Sequence, residues 1–151
     1  MVHVEIEETI HRPVEDVFNR LVDIPNYPNW MPDDGLFITC TKDSEGPVGL
    51  GTRYSDKTRF GWVRGEISEF EPPRRIVFHY IGKDFGIKTI EGWPGYTLEP
   101  DDKGGTKVLH VAQARLYGPF KLLKPLVQRL AQRERQRTVD ALKRSLESEG
   151  S

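Results

Sequence analysis

Glu8 and His110 are the two residues whose types and positions could do acid–base chemistry. Residues 2 to 11 alternate in polarity, and Glu8 interrupts their apolar face, while His110 interrupts the apolar face of a second alternating segment. A carboxylate that faces an imidazole in a pocket shifts the pKa of both groups and can exchange protons with a substrate. We predict that they form a catalytic pair across antiparallel strands, in a register that also pairs Val4 with Ala114. The alternative is that Glu8 reaches solvent and His110 is a hydrogen-bonded core residue.

Aromatic residues are concentrated in the middle of the chain, between Tyr54 and Tyr96. Such rings, together with a few placed polar groups, are typical of pocket walls for small molecules. Ordinary core packing would use the same rings, and we expect about half of them to border a pocket. The predicted ligand-binding residues, which include two from a later helix, are Tyr54, Trp62, Phe78, Tyr80, Trp93, Tyr96, Leu126 and Leu130.

Other motifs that carry chemistry are absent from the sequence. The four histidines include no closely spaced pair of ligands, and Cys40 is the only cysteine, so we expect neither a metal site nor an intrachain disulfide. The glycines from 46 to 51 lack the Gly-Lys-Ser/Thr ending of a phosphate-binding loop, and no nucleophile motif occurs. We therefore expect no cofactor.

Alternation and turn signals define the elements that must position these residues. A strand is predicted at 2–11, a helix at 13–22, at most one further helical turn in the proline-rich stretch 25–32, and a long helix at 120–146. Trp30 lies within the proline-rich stretch and should be buried with Tyr27 beside it. Six more strands are predicted at 36–42, 51–60, 62–71, 75–81, 87–98 and 106–117.

The lengths of these elements predict a cavity. Short connections between consecutive strands indicate antiparallel pairing, so the helices must pack on one face of the sheet, in an α+β fold. One helix is too narrow to cover seven strands, which together span about 30 Å. The sheet must then bend around the long helix, and the bend leaves a cavity between them.

Four stretches form an ordered set of motifs: IHRPVEDVF with LVDIPNYPNW, GLGTR, EFEPPRRIVF, and YTLEP with GGTKV. The set resembles the Bet v 1/START-like (SRPBCC) superfamily and, within it, the polyketide cyclase/dehydrase and lipid transport family, from about Val4 to Leu146. The resemblance implies a helix-grip fold: a seven-stranded bent antiparallel sheet in the order 2-3-4-5-6-7-1 around a long C-terminal helix, with two short helices after strand 1. It also implies a pocket for an apolar or aromatic ligand.

Composition and charge limit the partners. The 151 residues suit one domain, 1–151. Residues 121–149 carry eight basic and four acidic residues, a net charge of +4, which leaves −5 for the rest. The basic residues are spread around the helix, so we expect a solvated face rather than a nucleic-acid site. No apolar run approaches the ~18 residues of a membrane span, and the acidic N-terminus is unlike a signal peptide. We expect a cytoplasmic monomer or homodimer without membrane insertion.

Two classes of function remain open. The first is a carrier or sensor that binds a hydrophobic or aromatic small molecule, which could be lipid-, polyketide- or isoprenoid-like. The second is a small cyclase or dehydratase that acts on a polyketide-like substrate without metal or cofactor. The resemblance also implies a third possibility, a protein that delivers quinones or interacts with ribosomal components, as some relatives do.

Overall fold

The structure is a computed structural model that describes residues 1–32, 37–59 and 61–149. Its strands are β1 Val2–Ile10, β2 Phe37–Lys42, β3 Arg53–Thr58, β4 Gly61–Glu71, β5 Arg75–Asp84, β6 Ile87–Pro100 and β7 Thr106–Leu116. They form one antiparallel sheet in the order β1-β7-β6-β5-β4-β3-β2, which is the predicted order. Of the predicted strand ends, Leu36 and Phe60 lie outside the described residues.

Helices follow the first and last strands. Helix α1 (Val14–Val22) and the 3-10 helix η1 (Ile24–Asn29) come after β1, and the 3-10 helix η2 (Gly118–Leu123) leads into α2 (Lys124–Glu149). The apolar residues of α1 recur at helical spacing and are buried against the sheet. The long helix therefore begins four residues later than predicted, with Pro125 in its first turn, where the missing N–H costs no hydrogen bond.

The proline-rich stretch contains a packed aromatic pair, as predicted. The rings of Tyr27 and Trp30 meet edge to face, with 5.3 Å between their centroids. Trp30 is buried in the core, and the Tyr27 hydroxyl donates to the backbone carbonyl of Leu21. The pair joins η1 to the end of α1 and closes one side of the space between sheet and helix.

The two halves of α2 pack differently. The C-terminal half is buried through Val139, Leu142 and Leu146. Arg12 donates to the Leu146 carbonyl over 2.6 Å and anchors this half. The N-terminal half is more open, and Leu126 remains 63% exposed. Apolar side chains of α2 are therefore fully buried only in its second half.

The turn between β5 and β6 contains an unfavourable residue. Asp84 pairs with Ile87, so Phe85 and Gly86 form a two-residue turn in which φ is 52° and 78°. Both positive values are typical of a type I′ turn, which favours Asn-Gly. A bulky residue in this region of φ is uncommon and costs on the order of 1–2 kcal/mol.

Replacing Phe85 with Asn is expected to raise the free energy of unfolding by about 1 kcal/mol, because Asn tolerates positive φ better. Urea denaturation should show a higher midpoint with an unchanged slope. Phe85→Ala is the matched control: it also removes the ring but keeps the unfavourable φ, so it should bring no gain. Equal midpoints for the two variants would contradict this reasoning.

Candidate functional site

A cavity of about 60 Å³ lies between the helix-facing side of the sheet, η1 and α2. We call it the inner cavity. Its wall is mainly aromatic and includes Trp30, and Asp56 and Arg135 are the charged residues that border it. Four tyrosines, Tyr27, Tyr54, Tyr80 and Tyr96, and the ring of Phe78 also line it. The cavity can hold a few water molecules or one end of a larger molecule.

Asp56 is the acidic group of the inner cavity. It faces Cys40 across β2 and β3, and the Cys40 thiol lies near its carboxylate. Burial raises the pKa of Asp56 to about 6, against the opposing effects of Cys40 and the Arg135 guanidinium. Burial, followed by the neighbouring carboxylate, raises the pKa of the Cys40 thiol far above its usual range. The thiol is therefore protonated at neutral pH and is not an active nucleophile.

The tyrosines supply neutral hydroxyl groups. Burial raises the pKa of Tyr54, Tyr80 and Tyr96, so all three keep their protons at neutral pH. Arg135 reaches the cavity from α2, and its guanidinium lies near the Tyr80 hydroxyl. A guanidinium and a phenol side by side can stabilise negative charge on an oxygen atom of a bound molecule.

Close backbone approach sets the position of the Tyr80 ring. A Cβ atom built on Gly92, the residue that faces Tyr80 on β6, would lie 2.4 Å from Tyr80 Cζ. Glycine therefore lets the phenol lie flat on the neighbouring strand. Gly65 does the same for Tyr54, whose Cζ would lie 2.7 Å from an added Cβ. These two glycines make room for hydroxyl groups on the helix-facing side.

Two residues that border the inner cavity each have a buried side-chain atom without a hydrogen-bond partner in the protein: Nε1 of Trp30 and Oδ1 of Asp56. Among the described residues, His110 Nε2 is the third such buried side-chain atom. Buried polar groups without partners are rare in native structures, and each calls for a physical reason. One of the two cavity atoms is a donor and the other is an acceptor.

The structure contradicts the predicted facing of Glu8 and His110. His110 pairs with Ile6, and Glu8 pairs with Val108. The predicted register is therefore wrong by two residues. The polarity alternation has a period of two, so it determines which face a residue occupies but does not distinguish a two-residue slip.

The environments of the two residues also differ from the prediction. Partial burial opposes ionisation of Glu8, but its carboxylate accepts from Lys143 Nζ at 3.0 Å, and this bond and one from the Thr9 N–H lower its pKa. His110 is fully buried, donates from Nδ1 to the Gly95 carbonyl at 2.8 Å and stacks on Tyr96. Burial lowers its pKa to about 3, so the imidazole is neutral. The two residues do not form an acid–base pair.

A larger cleft of about 320 Å³ opens beside the inner cavity. We call it the mouth cleft. It lies between the ends of β4, β5 and β6 and the N-terminal half of α2, and its wall is mostly apolar. Tyr80 borders both spaces, so the cleft and the inner cavity meet at its ring. The volume is within the range of about 300–1,000 Å³ that is usual for small-molecule sites.

The structure divides the predicted ligand-binding residues into three groups. Tyr54, Phe78, Tyr80 and Tyr96 border the inner cavity, and Trp62, Tyr80, Leu126 and Leu130 border the mouth cleft. Trp93 borders neither.

Trp93 lies on the other side of the sheet, so its predicted place in the pocket is wrong. It stacks on His79, with 5.2 Å between ring centroids and 2° between planes, and His79 Nε2 lies 2.6 Å from Glu91 Oε2. The reason is strand alternation: Gly92 and Pro94, its small neighbours, face the helix instead.

The sequence reasoning missed Asp56, Cys40 and Arg135. Asp56 could have been found from the alternation of β3, because it follows Tyr54 by two residues and must share its face. Arg135 had no such signal, because basic residues occur on all sides of α2. In the part of the chain that the structure describes, no group of three or more His, Cys, Asp or Glu residues could hold a metal ion.

A bent seven-stranded sheet closed by a long C-terminal helix over an aromatic cavity defines a helix-grip protein of the Bet v 1/START-like superfamily. The sequence model described as "Polyketide cyclase / dehydrase and lipid transport" matches residues 1–147. The chain therefore belongs to that family. No curated protein sequence matches it.

Solved structures of similar fold include TTHA0849 from Thermus thermophilus, which is 19% identical with a TM-score of 0.76 over 99% of both chains. A START superfamily protein from Mycobacterium smegmatis is 15% identical, with a TM-score of 0.72 over 97% of both chains. The di-domain ARO/CYC BexL from the BE-7585A biosynthetic pathway is 18% identical, with a TM-score of 0.74, and the match covers 97% of this chain and 47% of that one. At these identities the similarity shows the fold alone.

Proposed function

We propose that the protein is a carrier or sensor for a small apolar molecule that contains a ring system and ends in a hydroxyl group. The observation that carries this proposal is that the mouth cleft and the inner cavity meet at Tyr80. The apolar cleft suits the body of such a molecule. The inner cavity, with its unpaired donor and acceptor, suits the polar end.

The unpaired atoms favour a hydroxyl group over other polar ends. A hydroxyl can donate to Asp56 Oδ1 and accept from Trp30 Nε1, whereas a carboxylate would be repelled by ionised Asp56. An alkyl end would leave both atoms unpaired in the bound state, and each unpaired group costs about 1–3 kcal/mol. Discrimination against ligands without a hydroxyl should therefore be strong.

The test uses 2-naphthol and naphthalene as probes, which differ only in the hydroxyl group. We expect 2-naphthol to bind at least about tenfold more tightly, as measured by isothermal titration calorimetry, because naphthalene cannot pair with Asp56. Native mass spectrometry of protein purified from its own host would identify the natural ligand. Equal affinities would contradict the hydroxyl preference, and failure of both probes to bind would contradict the proposal as a whole.

The variant Leu130→Asp tests the place of binding. Leu130 borders the mouth cleft, so a carboxylate there should weaken binding of both probes by about tenfold or more, because an apolar ring would then lie against a charge. Leu50→Asp is the matched control, because Leu50 is exposed and lies in the loop before β3, whereas the cleft is at the far end of that strand. If the two variants bind equally well, the ligand lies elsewhere.

A second candidate function is a cofactor-free cyclase or dehydratase. It is supported by the pKa of Asp56, which at about 6 suits a general base near neutral pH. In such a reaction Asp56 would remove a proton from carbon or oxygen of the substrate. Arg135 and the Tyr80 hydroxyl would stabilise the negative charge that develops on a neighbouring carbonyl oxygen.

A further inference from the structure

Exposed apolar side chains surround the entrance of the mouth cleft. Among the described residues, nine large apolar side chains are exposed, and seven of them belong to segments that border this cleft. We call these seven the apolar rim: Trp62, Phe85, Ile87, Phe120, Leu122, Leu123 and Leu126. Scattered exposed apolar residues are normal, but a cluster around one opening indicates an interaction site.

Three members of the rim, Phe85, Ile87 and Leu122, do not border the cleft itself. Phe85 at the β5–β6 turn is 98% exposed, and Leu122 in η2 is 85% exposed. Phe85 also has a φ of 52°, which a large side chain rarely adopts. Neither folding nor the shape of the cleft explains an exposed phenyl ring at this position. An outlier of this kind is a reason to look for function at the turn.

Basic residues flank the rim. Residues 83–88 and 118–130 contain five basic residues, Lys83, Lys88, Lys121, Lys124 and Arg129, against one acid, Asp84. Lys88 lies 3.6 Å from Glu91, which offsets one charge and leaves a surplus of +3. A partner that fits this surface must combine an apolar layer with negative charge.

We propose that the apolar rim docks on an anionic lipid bilayer, so that the mouth cleft opens toward the membrane. Protruding apolar side chains can enter the boundary between headgroups and acyl chains, while flanking lysines contact anionic headgroups. A turn tip and a short 3-10 helix that carry exposed apolar side chains suit a deformable layer better than a rigid protein groove. The docking is peripheral, since no helix in the described residues is long and apolar enough to cross a bilayer.

The first experiment is flotation with vesicles of phosphatidylcholine that contain about 30% phosphatidylserine, compared with pure phosphatidylcholine. We expect binding to the anionic vesicles, weakened at high salt because the lysine contribution is screened. Trp62 reports insertion directly, because brominated lipids should quench its fluorescence. A Trp62→Phe variant should lose that quenching while Trp93, on the other side of the sheet, stays unquenched. Equal failure to bind both vesicle types would overturn the proposal.

Substitutions separate the apolar and charged contributions. Phe85→Asn with Leu122→Ser should lower vesicle binding at least about tenfold, because each buried CH₂ group contributes about 0.8 kcal/mol. Lys121→Glu with Lys124→Glu should lower it by more than about fivefold per lysine and remove the salt dependence. Leu50→Ser is the matched control, an exposed leucine away from the cleft, and should bind as wild type. An equal loss of vesicle binding in Leu50→Ser would show that binding does not depend on the apolar rim in particular.

Two readouts separate membrane docking from ligand binding and from self-association. The double variant Phe85→Asn, Leu122→Ser should bind 2-naphthol as wild type does, because neither residue borders the cleft. Membrane docking can therefore fail while the proposed function stands, and the proposed function can fail while docking stands. Analytical ultracentrifugation should show the same oligomeric state for wild type and Leu122→Ser. If the wild type is a dimer and the variant a monomer, the rim is an interface between copies of this chain and the proposal is wrong.

Discussion

Replacing Trp30 with Ala should lower the free energy of unfolding by about 3–5 kcal/mol. Trp30 is 9% exposed, packs edge to face against Tyr27 and belongs to the main core cluster. Its removal leaves a space next to the inner cavity that the prolines of the turn prevent from collapsing. Chemical denaturation measures the loss, and a change below about 1 kcal/mol would show that the ring does not support the core.

Two further variants define what Trp30 does. Trp93→Ala removes an indole on the other side of the sheet that stacks on His79, so it should cost only about 1 kcal/mol. Trp30→Phe keeps a ring in the core but removes the Nε1–H donor, so it should remain folded and bind 2-naphthol less tightly. If Trp30→Phe kept full affinity for 2-naphthol, the indole would have only a structural role.

The fold could be predicted because its determinants are local and repeated along the chain. The alternation of polar and apolar residues predicted which side chains of β1 and β7 share a face of the sheet. Short connections required antiparallel pairing of neighbouring strands. The order with β1 beside β7 came from the resemblance, because nothing local selects a partner more than ninety residues away. The pairing register of these strands was wrong for the same reason: a slip of two residues leaves every side chain on its face.

The site was predicted less well, because its chemistry depends on distant contacts. The prediction took large rings as pocket residues, which was wrong for Trp93, since the small residues Gly92 and Pro94 face the helix beside it. It chose Glu8 because it interrupts an apolar face, but Lys143 from α2 pairs with it. Asp56 was overlooked in a strand that reads as polar, Arg53–Thr58, although burial gives it the pKa that suits acid–base work.

Replacing Asp56 with Asn should stabilise the protein at neutral pH. Burial raises the pKa of Asp56 from 3.8 to about 6, so the native state binds more protons than the unfolded state between these values. Stability therefore falls as pH rises through this window, and the full cost is present above about pH 6. A shift of about two units corresponds to about 3 kcal/mol, which Asn avoids because it cannot ionise.

The pH profile distinguishes this effect from better packing. Urea denaturation should show Asp56→Asn to be about 2–3 kcal/mol more stable at about pH 7.5 and nearly equal to wild type at about pH 4. The wild type should gain stability over this range as pH falls, relative to the variant. A variant less stable than wild type at neutral pH would mean that the carboxylate has compensating partners and that its pKa is not raised.

The same substitution should weaken binding while it stabilises the fold. A hydrogen bond to a charged acceptor contributes about 1.5–3 kcal/mol, so Asp56→Asn should reduce the preference for 2-naphthol over naphthalene by about tenfold or more. In a carrier, naphthalene itself should bind as before, because the mouth cleft is unchanged.

In a cyclase or dehydratase the variant should still bind substrate but turn it over about 10²-fold more slowly, which is the usual contribution of a positioned base. A more stable protein with weaker hydroxyl recognition is the result expected of a residue kept for its site rather than for folding. If the variant is more stable and retains the full preference for 2-naphthol, Asp56 does not take part in recognition of the hydroxyl group.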